Sequence, residues 1–372
     1  MYVLVDLSVN PPLVQPWLDS LRDQAGAPIG VQRFAGTRFA ALDITPAQVE
    51  SGRAQKLLIH PAESLRFPAI RPAGDPIRVD RVPMVVPWNQ LLIGIRDLAA
   101  TGAGIRVGHI DSGIDPDHPS VAGHPTAFAS IRQNGTTVII DSNATASDSA
   151  NHGTATASLI AGKAPLGMAP GVELFSAGLC GPLTVPMVVA AVSWLLEHDV
   201  QIVWLGVERP NERDPALETL VTDLLQQNIL PVTAIGNSGP GTSSSPGNCA
   251  DGLSTGAVSE GTSEPTMWNQ SGSQMRPDER LKPDVVAPGD KVMIAYTHHL
   301  PSGPDYQVIP HSGTSLAGPH LVALAALCLE LQPALTARDL MQRIFDSCRL
   351  FNLDHQRANR GVPWARDIRL GP

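Results

Sequence analysis

Cysteine is scarce: Cys180, Cys249, Cys328 and Cys348 are the four in 372 residues. They lie far apart with no metal-ligand spacing, which predicts free core thiols in a reducing compartment. Positive charge is short too. Twenty-six Lys and Arg against 35 Asp and Glu leave a formal net charge of -9. No basic patch stands out, which argues against nucleic acid as a partner. Residues 1–6 carry neither a basic n-region nor a long apolar run, so they do not read as a secretory signal. The apolar run over residues 321–331 is too short to span a bilayer. Internal repeats and low-complexity tracts are lacking. These absences predict a soluble, cytoplasmic protein without a membrane span, export by another route left open. What is present, 372 residues of which 43% are hydrophobic and 16% charged, suffices for one large domain and a small one.

The first 66 residues read as the small unit. Residues 2–7 suit a strand, and Val14, Trp17, Leu18 and Leu21 recur at the spacing of one helix face. Residues 28–44 hold two strand-like runs broken at Ala35-Gly36, a hairpin signal. Thr45-Pro46-Ala47-Gln48 opens a helix, with Thr45 as cap, Pro46 at the first position and Gln48 able to bond back. Gly52 suits its end, and residues 56–60 suit a last strand. The order β-α-β-β-α-β is a ferredoxin-like plan. Residues 67–87 hold five prolines and read as an extended linker, bounded here as 67–84. From residue 85 to 372 strands and helices alternate, with strands over 105–110, 172–177, 201–205 and 230–235 and helices over 185–198 and 215–227. Such alternation predicts a mostly parallel sheet covered by helices, with sites at the carboxyl ends of strands.

Three segments place reactive side chains at such ends. Asp111 follows the strand at 105–110 in Ile110-Asp111-Ser112-Gly113. His152 opens a helix in Asn151-His152-Gly153-Thr154. Ser315 stands in Gly313-Thr314-Ser315-Leu316-Ala317-Gly318-Pro319, at the start of a long apolar helix. A serine hydroxyl is a weak nucleophile that needs an adjacent base. Histidine supplies one near neutrality, and a buried carboxylate holds the imidazole in the required tautomer.

The order Asp, His, Ser in these contexts resembles the subtilisin-like serine peptidases. The resemblance covers residues 85–350, and Gly-Thr-Ser-x-Ala-x-Pro is its most specific part. It implies an α/β, three-layer subtilisin-like fold with a mostly parallel sheet, preceded by a small ferredoxin-like α+β domain. It implies a serine endopeptidase working through an acyl-enzyme, with Ser315 as nucleophile, His152 as general base and Asp111 as orienting carboxylate. Ala234-Ile235-Gly236-Asn237 resembles the segment carrying the oxyanion-binding asparagine, so Asn237 is expected to donate there beside the Ser315 amide. Trp204, Leu205 and Gly206 are expected as one wall of the specificity pocket, and Ala234, Ile235 and Gly236 as the other. Gly178, Leu179 and Cys180 are expected as the edge that pairs with substrate backbone. Residues 1–66 resemble the family's propeptide, an inhibitor and folding chaperone whose tail, drawn from residues 60–69, would enter the cleft.

The departures from the family pattern carry expectations of their own. Trp204 replaces a serine, which alters or fills the pocket rim. Ala155 replaces a second histidine, and Leu316 replaces a methionine. Residues 161–167 are shorter than the usual calcium loop, and Ser120 stands where a carboxylate is expected, which predicts no calcium there and no other cofactor. His109, His118, His311 and His320 are expected as packing or supporting groups, Asp115 and Asp117 as a solvated loop, and Cys180 as a thiol facing the cleft. The expected partner is a polypeptide substrate, from intracellular or precursor proteins, with the N-terminal unit as internal inhibitor. The alternative is a silent binding protein of the same fold, its cleft blocked by that unit or by Trp204.

Overall fold

A computed structural model describes residues 1–275 and 281–368. Its central sheet runs, in order, Thr137–Asp141, Ala127–Asn134, Glu173–Cys180, Arg106–Asp111, Ile202–Leu205, Leu230–Ala234 and Leu253–Ser259. Val285–Pro288 and Thr266–Met267 both pair with the last of these. The pairings are parallel except at Thr137–Asp141 and Thr266–Met267. Side chains alternate across this sheet as the two-residue strand repeat requires. In the strand Ile202–Leu205, Ile202 and Trp204 enter one core with the helices His152–Ile160 and Thr314–Leu331. Val203 and Leu205 enter the other, with Val185–Leu196 and Pro215–Gln226. Three layers result, as expected.

The apolar helix is longer than the run that marked it. Thr314–Leu331 has the length and composition to cross a bilayer, yet 89% of it is buried inside the fold. It is a core helix, and tight packing fixes its place. A Cβ on Gly318 would lie 2.2 Å from Cζ3 of the fully buried Trp204.

The N-terminal segment folds as Tyr2–Asp6, Pro11–Ser20, Val31–Arg33, Phe39–Asp43, Pro46–Ala54 and Ile59–Pro61. Its antiparallel sheet has the order Val31–Arg33, Phe39–Asp43, Tyr2–Asp6, Ile59–Pro61. The capping box at Thr45 is formed: Thr45 N donates to Gln48 Oε1 over 2.9 Å and Gln48 N to Thr45 Oγ1 over 3.3 Å. Val3, Val5, Trp17, Leu18, Val49 and Ile59 make a core between this sheet and its two helices. The opposite face, with Leu4, Phe39 and Ala41, joins the core of Val185–Leu196 and Pro215–Gln226. Polar contacts rim that junction. Arg38 pairs through its guanidinium with Asp223, Gln32 Nε2 donates to Val138 O over 2.6 Å, and Ser193 Oγ to Ala35 O over 2.7 Å.

Residues 67–84 are more than a linker. Arg71–Pro72 and Ile77–Arg78 pair antiparallel with the strand Gly303–Ser312. Proline here costs nothing, because an edge-added strand leaves one row of amides unused.

The Trp204 packing yields a stability prediction. Gly318→Ala forces a methyl group into the indole, an overpacking change worth about 1–3 kcal/mol. Thermal unfolding should show a melting point several degrees lower; an unchanged melt would mean that the ring has room to yield.

Candidate active site

The strand Arg106–Asp111 ends in a carboxylate that is fully buried. A buried charge must be paired or hydrogen-bonded. Asp111 Oδ1 accepts from Ser112 N and from His152 Nδ1, both at 2.7 Å. Asp111 Oδ2 accepts from Trp204 Nε1 at 3.0 Å and from Thr156 Oγ1 at 3.1 Å. His109, buried behind it, reaches Thr156 Oγ1 at 2.9 Å and Ser176 Oγ at 3.2 Å. Burial alone raises the Asp111 pKa, but the His152 charge and hydrogen bond, with the His109 and Trp204 contributions, bring it below the ordinary value. Burial likewise lowers His152, and the Asp111 charge and hydrogen bond carry it above the ordinary 6.5.

His152 is held by its helix start. Asp148, a residue not singled out in the sequence, accepts from Ala150 N, from Thr154 N and from Thr154 Oγ1 at 2.9, 2.7 and 2.6 Å. Ser112 Oγ donates to Asp148 at 2.6 Å and accepts from Gly153 N at 2.8 Å, which locks the aspartate turn to the histidine turn. The two turns meet backbone to backbone: a Cβ on Gly153 would lie 1.9 Å from Gly113 O.

Ser315 lies in the first turn of Thr314–Leu331 and is fully buried. Asn237, beyond the strand Leu230–Ala234, is turned by Thr314. Thr314 N and Thr314 Oγ1 each donate to Asn237 Oδ1 at 2.8 Å. The amide nitrogen is thereby left to donate into the cleft, and it does so to Ala69 O at 3.0 Å. A Cβ built on Gly313 would meet Ile70 Cγ2 at 3.3 Å, Ser315 Oγ at 3.4 Å and Ala69 O at 3.6 Å. The nucleophile candidate and the Ala69–Ile70 peptide therefore converge on one spot. Ser315 Oγ and His152 Nε2 are both buried without a hydrogen-bond partner, and Phe67 stacks on the His152 ring at 6.0 Å.

The backbone partners of that segment differ from expectation. Gly178 pairs on both sides, with Asp111 and Ser130, and Leu179 and Cys180 pair with Ile131 and Arg132. Gly178 is therefore interior, while Leu179 and Cys180 are paired on this one side only. The strand that meets the N-terminal segment is Leu183–Thr184, antiparallel to Ser64–Leu65. Trp204 does not fill the pocket rim: its indole turns under the site to Asp111. Leu205, Ala234 and Ile235 are buried in the sheet beneath the cleft, and Gly206 sits against Asp111, 2.1 Å from Oδ2 for a Cβ placed there. A Cβ on Gly236 would lie 2.4 Å from Ser244 Oγ and 3.4 Å from Glu208 Oε2. Glu208 is the backbone partner that the sequence did not mark: Arg66 N donates to Glu208 O at 3.0 Å and Glu208 N to Arg66 O at 2.8 Å. The thiol Cys180 contacts Ser130 Oγ at 3.7 Å.

The family's calcium finds no fitting ligands at residues 161–167. Pro165 O and Leu166 O already accept from Gln90 Nε2 at 2.7 and 2.8 Å. Arg96 donates to Gly167 O at 3.1 Å and to Gln90 Oε1 at 2.8 Å, so a guanidinium sits where a cation would be wanted. Melting in EDTA should match melting in calcium; a drop of several degrees would reveal a site elsewhere.

Comparison with known proteins agrees with the geometry. Residues 102–362 match the Subtilase family. The subtilisin-like protease PopC of Myxococcus xanthus is 30% identical over 276 residues, 66% of this chain and 56% of that protein. An alkaline protease of Alkalihalobacillus alcalophilus is 27% identical, with 72% and 66% covered. Subtilisin Savinase of Lederbergia lenta is 27% identical, with 67% and 86% covered. The chain thus spans a little over half the length of the Myxococcus protein and about two thirds of the alkaline protease. Among solved structures, fervidolysin of Fervidobacterium pennivorans, a keratinolytic enzyme related to subtilisin, superposes with a TM-score of 0.73 at 17% identity, covering 100% of this chain and 61% of its own. The prenylagaramide maturation protease PagA superposes with a TM-score of 0.58 at 22% identity, covering 74% and 97%. With a family match over most of its length and a fold shared with fervidolysin, the chain belongs to the subtilase family.

Proposed function

We propose that the chain is a serine endopeptidase, made latent, that cleaves polypeptides through an acyl-enzyme and whose first substrate is its own Ala69–Ile70 bond. The observation that carries this reading is the hydrogen bond from Asn237 Nδ2 to Ala69 O at 3.0 Å. It puts a peptide carbonyl where an oxyanion would develop.

In this reading Ser315 Oγ attacks the Ala69 carbonyl carbon while His152 Nε2 takes the hydroxyl proton. The negative charge passes to the carbonyl oxygen, held by Asn237 Nδ2 and the Ser315 amide. The bond to Ile70 N breaks as His152 returns the proton to that nitrogen, and water then releases Ala69 from Ser315 by the reverse sequence. Removing the Asn237 donor costs such a barrier about 2.7–4 kcal/mol, a range measured in subtilisin, a member of the same family. Asp111 orients His152, and Trp204 and Thr156 hold Asp111. After cleavage the N-terminal unit stays as inhibitor, because its sheet is packed against two helices of the larger body and its tail pairs with Leu183–Thr184. Later substrates are intracellular or precursor polypeptides. The four thiols are free, and burial pushes Cys249, Cys328 and Cys348 up to about 12, which suits an inert role in a reducing cytoplasm.

The filled cleft also favours a second reading, a silent binding protein whose own segment blocks the site. Mass spectrometry separates the two. The wild-type chain should lose mass from 39.3 kDa on incubation, Ser315→Ala and His152→Ala should stay intact, and Asp111→Asn should be slowed by about 10⁴. Cleavage that persists in Ser315→Ala would overturn the assignment.

The pH dependence follows from His152, which must be neutral to act as a base. Its pKa lies above 6.5, so the cleavage rate should fall as pH drops, with a midpoint above that value. In Asp111→Asn the midpoint should move down, because the Asp111 charge is what raises it. A midpoint at or below 6.5 in the wild type would contradict this electrostatic account.

A further inference from the structure

The Glu208 side chain is 2% exposed. Its Oε1 accepts from Arg66 Nε at 2.9 Å, and its Oε2, also buried, has no partner. The cation next to it in sequence does not serve it. Arg209 is turned to Asp214, Glu212 and Glu63 at 3.1, 3.0 and 3.4 Å. The guanidinium that Glu208 meets belongs to the segment in the cleft. Two backbone bonds, Arg66 N to Glu208 O and Glu208 N to Arg66 O, set the register. Arg66 stands three residues before Ala69, whose carbonyl accepts from Asn237. Any extended chain that puts a carbonyl on Asn237 and pairs with Glu208 in this register brings its own side chain at that position to the same carboxylate.

We infer that Glu208 is a specificity determinant, selecting a basic side chain three residues upstream of the residue whose carbonyl meets Asn237, in the chain's own segment and in later substrates. The inference rests on the proposed peptidase function. Its physical basis is the cost of covering a carboxylate. With arginine there, one oxygen gains a charge-assisted hydrogen bond. With a neutral residue, the docked substrate strips water from the charge and returns nothing, and with an acidic residue two like charges meet. Buried polar groups left unpaired discriminate far more sharply than apolar pockets do. Arginine is favoured over lysine because the contact is made through Nε, an atom that lysine lacks at that point of its side chain.

The test compares two peptides on the self-processed full chain: one with the sequence of residues 63–72, and one with glutamine at the position of Arg66. The wild type should prefer the arginine peptide by tenfold or more in kcat/KM. Glu208→Gln should bring that ratio to within about twofold, with the larger loss of rate on the arginine peptide. Equal rates in the wild type, or a preference that survives Glu208→Gln, would overturn the inference. If the wild type cleaves neither peptide, its own processing at Ala69–Ile70 separates a tail retained in the cleft, where that bond is cut, from a failed peptidase reading, where it is not, and amide exchange in the uncleaved Ser315→Ala chain decides the contact. There Arg66→Gln and Glu208→Gln should each speed exchange of the residue 66 amide several-fold, and together no more than either alone. Unchanged or additive effects would show that the side chains do not recognise each other.

Discussion

A charge buried at the end of a central strand organises the site. Asp111 is fully buried, so it draws four donors from the chain: its own turn, the His152 helix start, Thr156 one turn later, and the Trp204 indole from the neighbouring strand. Each donor fixes a structural relation. The His152 bond sets imidazole orientation and tautomer. The Trp204 bond requires the Ile202–Leu205 strand to turn a large residue inward, and the ring then dictates glycine at position 318 on the helix that carries Ser315. The carboxylate thus connects His152 to the helix of Ser315 through packing as well as charge. Removing any one donor would leave a buried charge underpaired, the costly case.

The second constraint is a divided amide. Asn237 spends its oxygen on Thr314, the residue before Ser315, and thereby aims its nitrogen at the cleft. The two Thr314 bonds fix that orientation independently of what the nitrogen meets. What meets it is the chain itself. Ser64–Leu65 pairs with Leu183–Thr184, Arg66 with Glu208, and Arg71–Pro72 with the end of Gly303–Ser312, so both flanks of Ala69–Ile70 are held in extended backbone. Tethering gives this segment a high effective concentration, and the apolar junction of its sheet with two helices adds affinity.

Much of this was legible in residue order. Strands and helices followed from periodicity, the capping box at Thr45 from four residues, and the meeting of Asp111 with His152, and of Asn237 with the turn that carries Ser315, from local contexts that each end a strand or start a helix. The cleft walls were not legible, for a physical reason. Gly178 looks like part of a free edge until the strands Arg106–Asp111 and Ala127–Asn134 pair with it on both sides. Trp204 reads as a rim residue until its face of the sheet is known, since alternate residues of one strand go to opposite cores. The pair of Arg66 and Glu208 joins positions 142 residues apart, and nothing local in either context marks the other. Residues 67–84 read as a linker because proline disfavours regular structure, but proline does not prevent a strand from adding at an edge.

The central claim is that Ala69–Ile70 is held as a substrate at Ser315, and its sharpest test is the new chain end. Purified wild-type chain, incubated and then sequenced from the amino terminus of its larger product, should begin at Ile70. The smaller product should end at Ala69. A chain end elsewhere in residues 60–84 would contradict the register that the Asn237 and Glu208 contacts define.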